Sequence, residues 1–220
     1  MKGLLIKDIK LLGTQKTFFI SICIFSLIMI IGNFDPSFIV GYLTFIFSLF
    51  VISTISYDDY NNGFSFLFTL PVTRETYVRS KFLLSLILGL TSCIFAIILS
   101  AGAVYITTQT LVTLDWVLSQ SIACLVIFTL LSIMIPMQLK FGSEKSRIVM
   151  LVFYGGIFGI GAFITVMMGP ENAQTLLKSI LSTVSSMNQF IVIGSVLVVL
   201  LGILLSSYLI SVKVMKNKQF

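Results

Sequence analysis

The stretch FLLSLILGLTSCIFAIILSAGAVYI, residues 82–106, contains no Asp, Glu, Lys, Arg or His. A helix needs about 20 apolar residues to cross a hydrocarbon core of roughly 30 Å, and this run meets that length. A charged side chain at mid-bilayer costs about 2.5–3.5 kcal/mol on insertion scales, so the absence of charge is itself a signal. The rest of the chain agrees. Of its 220 residues 57% are hydrophobic and only 10% charged, with a mean hydropathy of +1.09. Soluble domains carry about 25% charged residues to cover their surface. The solvent for most of this protein is lipid.

Five further runs share the property: Thr17–Asn33, Pro36–Ser56, Trp116–Gln138, Ile148–Met168 and Phe190–Val212. The expected fold is an all-α integral membrane protein with six transmembrane helices in one domain, residues 1–220. Six spans put both termini on one side. That side then holds every Lys and Arg except Lys178, and a Lys/Arg excess marks the cytoplasm. The net charge of +6 is thereby read as topology, with no call for nucleic acid. The first run lacks a small-x-small cleavage site and is expected to be a retained span, not a signal peptide. Cys23, Cys93 and Cys124 all fall inside apolar runs, where a filler role is expected over a disulfide framework.

Before the first span, KGLLIKDIKLLGTQK (Lys2–Lys16) places Leu4, Leu5, Ile9 and Leu12 on one helical face, with Lys7 and Lys10 away from it and Asp8 interrupting it. A basic amphipathic helix lying along the membrane surface is expected. Near the other end, GPENAQTLLKSILSTVSSMNQ (169–189) predicts an outer amphipathic helix, interfacial or gating, over about Pro170–Val184. Gly155 and Gly159 form a GxxxG pair suited to close helix packing, chiefly within the chain.

Two charged segments interrupt the apolar pattern. In SYDDYNNGFSFLFTLPVTRETYVRSK (56–81), Tyr57, Asp58, Asp59 and Tyr60 follow the second span, and either Asp suits a helix start. Phe64, Phe66, Leu67, Phe68 and Leu70 precede Pro71, and Thr73 can cap a new helix from Arg74. Exposed aromatics of this density need a surface to cover them, either the inner leaflet or a protein. The second segment, IPMQLKFGSEKSRIV (135–149), predicts a kink at Pro136, a turn at Phe141–Gly142 and a charged helix start.

Much chemistry is excluded. The chain has no histidine, hence no His-assisted nucleophile and no His-based metal site. It has no GxxxxGK[ST] motif and no ionisable residue within a span to relay protons. It is not expected to be an enzyme, and it is expected to hold no cofactor of its own.

The tyrosine-acid pair followed by LPVTR, the PMQLKFGSEKSR element after the fourth run and the MKGLLIKDIKLL lead-in together resemble the type-2 ABC exporter permease family, in its small six-span bacterial members. The likeness of topology extends over essentially the whole chain. It implies a bacterial plasma-membrane permease that pairs with a second permease subunit, as homodimer or heterodimer, and engages a separate ATPase subunit. That partner would bind ATP and Mg. The stretch Asp58–Leu70 would be a cytoplasmic coupling helix between spans two and three. Its interface would comprise Tyr57, Asp58, Asp59, Tyr60, Phe64, Phe66, Leu67 and Phe68, with Leu70, Pro71 and Arg74 fixing the turn. Lys140, Phe141, Gly142, Glu144 and Lys145 would make a smaller second contact. The helix Pro170–Val184 would correspond to an outer re-entrant element between spans five and six. Exporters of amphipathic cytolytic peptides, the phenol-soluble modulin type, look similar in size and loop pattern. The uncharged spans suit hydrophobic or amphipathic cargo, whether peptide, lipid or drug. A receptor or self-protection subunit that does not pump, or a channel, remains the alternative on the residues alone.

Overall fold

The computed structural model describes residues 1–60, 63–109, 112–169, 172, 175, 179 and 189–218. Among them there are helices and short connections and no strand. The expected outer helix over 170–184 lies almost wholly outside the described residues.

Helix α1 (Lys2–Thr14) meets α2 (Lys16–Ile31) at Gln15, where the axis bends by 62°. Helix α3 (Pro36–Asp59) opens with Pro at its first turn and with Asp35 accepting a bond from the Ser37 amide at 2.7 Å. The missing proline N–H is one that the helix start would leave unpaired anyway. A five-residue helix, α4 (Gly63–Leu67), leads to α5 (Arg74–Thr108). As expected, Thr73 caps α5, its hydroxyl accepting from the Thr76 amide at 3.2 Å. Helix α6 (Leu114–Met168) and α7 (Gln189–Asn217) complete the order.

Helix α3 is central. It packs on α5 and α6, α6 packs on α7, α5 contacts both, and α1 reaches across to α3 and α5. Two apolar clusters fill the bundle. One gathers Ile39, Val40, Leu43, Phe50, Ala96 and Cys124. The other lies at the charged end, with Ile55, Phe64, Tyr77, Leu139 and Met215. Helices α5 and α6 come close at Gly89, where a Cβ would stand 2.5 Å from the Phe128 ring, so a larger residue would have to displace that ring. The outer faces of α2, α5 and α7 are apolar and open, with Ile31, Ile106 and Leu209 all exposed, as lipid contact requires. The three cysteines are free.

Among the described residues, four helices are long and apolar enough to cross a membrane: Pro36–Asp59, Arg74–Ile106, Leu114–Val152 and Gly194–Asn217. The bent pair α1–α2 makes a fifth if taken as one span. The difference from six apolar runs has two physical sources. Helix α2 has 16 residues, short for a span of about 20. The runs 116–138 and 148–168 both fall within the 55 residues of α6, which drawn straight would measure roughly 80 Å. The backbone leaves helical geometry at Gly142, with φ 74° and ψ 179°. The turn expected at Phe141–Gly142 is therefore present. Helical geometry continues through Pro136, and the backbone leaves it six residues later, at a glycine that permits it.

Candidate functional site

The charged end of the bundle is built around the last turn of α3. Asp58 accepts from Lys7 of α1 with one carboxylate oxygen. Its other oxygen accepts from the Tyr77 hydroxyl at 3.0 Å and lies 2.8 Å from Lys81 Nζ. Lys81 donates in turn to Asp8 at 2.8 Å and to Thr54 at 3.1 Å. Lys7 stands 3.4 Å from Asp8 Oδ1. That oxygen has no hydrogen bond, so the ion-pair distance is what compensates it. Lys81 and Asp8 are each 0% exposed. Burying an isolated charge costs several kcal/mol even after relaxation, and only close pairing offsets this. Here two lysines and two aspartates cancel, and in doing so they join α1, α3 and α5.

A second set of contacts adds α6 and α7. Asp59 accepts from the Ser143 amide at 3.2 Å and pairs with Lys218 at 3.6 Å. Lys218 also donates to the Leu139 carbonyl at 3.2 Å and sits 4.8 Å from the centre of the Phe64 ring. Arg74 donates to the carbonyls of Met215, at 3.1 Å, and Lys216 in the last turn of α7. Its guanidinium lies over Phe68 at 5.9 Å. Tyr77 receives Phe64 edge-on at 5.5 Å and Phe68 at 6.1 Å. A helix as short as α4 cannot persist alone in water. This one is held by its buried Phe64 and Leu67, with the Phe68 ring just beyond its end against Tyr77.

The sixteen residues expected at a docking surface divide accordingly. Phe64 and Leu67 are buried. Asp58, Asp59, Phe68, Arg74 and Gly142 are partly enclosed and serve the internal network just described. Tyr60 and Phe66 are each 72% exposed, and Tyr57, Leu70, Pro71, Lys140, Phe141, Glu144 and Lys145 are exposed with them. Asp58 and Asp59 end α3 instead of starting a new helix, because their carboxylates are engaged by α1, α5 and the turn in α6. The two segments do meet: Tyr57 and Tyr60 face Ser143, Glu144 and Arg147 across a cleft of about 620 Å³.

Two other expectations change. Gly155 and Gly159 are exposed, and a Cβ on either would meet nothing within 4 Å, so this pair packs no helices together among the described residues. In α1 the inward positions are Leu4 and Asp8, while Ile9 is exposed, so the acid belongs to the buried face. Sequence reasoning missed Lys7, Asp8, Tyr77, Lys81 and Lys218 as network members. The available signal was Asp8 itself: an acid four residues from Leu4, on the face meant for burial, requires a cation opposite it.

A family model described as ABC-2 family transporter protein matches residues 3–216. No curated protein and no solved structure matches the chain.

Proposed function

The chain belongs to the ABC-2 family of transporter proteins, and from that premise we propose that it is the permease subunit of an ATP-driven exporter, working with a separate ATPase subunit and a second permease. In this reading α2, α3, α5, the parts of α6 on either side of Gly142, and α7 are its six spans. The charged end faces the cytoplasm, and the exposed Gly155–Gly159 face is open to the second permease. ATP and Mg belong to the partner, and the cargo is hydrophobic or amphipathic: a peptide, a lipid or a drug.

One observation carries the docking assignment. The segment 63–70 buries Phe64 and Leu67 while presenting Phe66 and Leu70 outward, on a base made rigid by buried ion pairs. A large exposed ring on a firmly held support is what a protein partner uses as an anchor. Force applied at Phe66 would reach α5 through Tyr77 and α3 through Asp58. The test is affinity capture of the tagged chain from its native membrane, with mass spectrometry of what is retained. A P-loop ATPase in near-equal amount is the expected result. A folded, stable chain that captures none would defeat the proposal.

A further inference from the structure

Along α7, Leu197, Leu201, Leu205 and Leu209 follow one another at four-residue steps, and all are exposed. Such a row of side chains has acyl chains for its solvent. The next step along it is Lys213, also exposed and the first charged residue after the apolar row. Beside it opens a groove of about 330 Å³ between α7 and α6, lined by Lys140, Lys213, Val214, Asn217 and Lys218. Among the described residues neither Lys140 nor Lys213 forms an ion pair; Lys140 Nζ lies 5.2 Å from the centre of the Phe141 ring, and Lys218 is paired with Asp59. Three carbonyls near the groove are already engaged: Arg74 holds those of Met215 and Lys216, and Lys218 holds that of Leu139.

We propose that this groove binds the phosphate of an anionic membrane lipid, with Lys140 and Lys213 on the headgroup and the leucine row of α7 along an acyl chain. Basic pockets between spanning helices at the membrane edge suit such headgroups. The inference goes beyond the exporter reading and needs only that α6 and α7 cross the membrane. A bound lipid would bridge α7 to the part of α6 just before Gly142.

The test uses the purified full chain in neutral detergent, titrated with short-chain phosphatidylglycerol, short-chain phosphatidylcholine or inorganic phosphate, with binding read from the shift in thermal midpoint. Phosphatidylglycerol should bind the native chain, and the Lys140→Gln/Lys213→Gln variant should bind it on the order of tenfold or more weakly. The Lys140→Arg/Lys213→Arg variant should retain binding, which separates loss of charge from loss of fold. Equal affinity in the native chain and the glutamine variant, or no preference over phosphatidylcholine, overturns the proposal. Inorganic phosphate binding as strongly as the lipid would also overturn it, since the groove would then be a free-anion site. Finally, a glutamine variant that keeps its lipid response but loses the captured ATPase would assign the lysines to that partner and refute the lipid.

Discussion

A Cβ placed on residue 142 would stand 2.9 Å from Oδ2 of Asp59. That same oxygen accepts the amide of Ser143. The carboxylate at the end of α3 thus caps, from outside, the helical turn that resumes after the break in α6. The break in turn depends on a residue without a side chain, in a backbone region (φ 74°, ψ 179°) that L-residues hardly enter. Two segments more than eighty positions apart are fitted to each other at one oxygen.

Gly142→Ala should therefore cost about 1–3 kcal/mol in backbone strain, with displacement of Asp59 in addition. A lowered thermal midpoint of the purified protein checks this. Asp59→Asn keeps an acceptor for the Ser143 amide and should be milder. If Gly142→Ala melted like the native chain, the coupling of turn and carboxylate would be refuted.

The buried charges make a sharper prediction. Lys81→Met leaves Asp8 and Asp58 buried with Lys7 as their only remaining cation in the cage. Removing one partner of a buried pair costs about 3–5 kcal/mol. Adding Asp8→Leu should recover much of that loss, because the least solvated carboxylate goes with its partner. A double variant no more stable than Lys81→Met would show that the network is not organised around this pair.

Phe64 and Phe66, two positions apart, should fail in different ways. Phe64→Ala removes a buried ring from Tyr77 and should destabilise the protein by about 3–5 kcal/mol. Phe66→Asp alters an exposed side chain and should leave the thermal midpoint nearly unchanged while abolishing capture of the ATPase. Retained capture in a folded Phe66→Asp protein would sink the docking assignment.

Which parts of this were legible in the sequence follows from the range of the interactions. The apolar runs, the Thr73 cap and the Phe141–Gly142 turn are written in neighbouring residues, and the structure has them. The ion cage is not local: Asp8 and Lys81 are 73 positions apart, and nothing near either one names the other. The same holds for Asp58, which in sequence looks like a solvated helix start beside Asp59 and in space is enclosed by α1 and α5. At Pro136 helical geometry continues, since one lost hydrogen bond is tolerable within a packed spanning helix, and the backbone leaves that geometry at the glycine six residues on. The pattern of exposure among Phe64, Phe66 and Phe68 depended on Tyr77 lying beneath α4, which no spacing in that segment announces.

The last turn of α7 offers a prediction that separates a structural clamp from a surface charge. A helix end leaves its final carbonyls without partners inside the helix, and Arg74 supplies them for Met215 and Lys216. Hydrogen bonds to a charged donor contribute about 1.5–3 kcal/mol. That contribution is local, so Arg74→Ala should change the exchange of amides near residues 213–217 far more than it changes the thermal midpoint. Arg74→Lys keeps the charge but has a single donor head in place of the planar fork, and it should protect those amides only in part. Hydrogen–deuterium exchange of the three proteins in the same detergent makes the comparison. Uniform exchange at the end of α7 in all three would mean that Arg74 lies against those carbonyls without holding them, and α4 would then be fixed without that clamp, by its contacts with Tyr77 and Lys218.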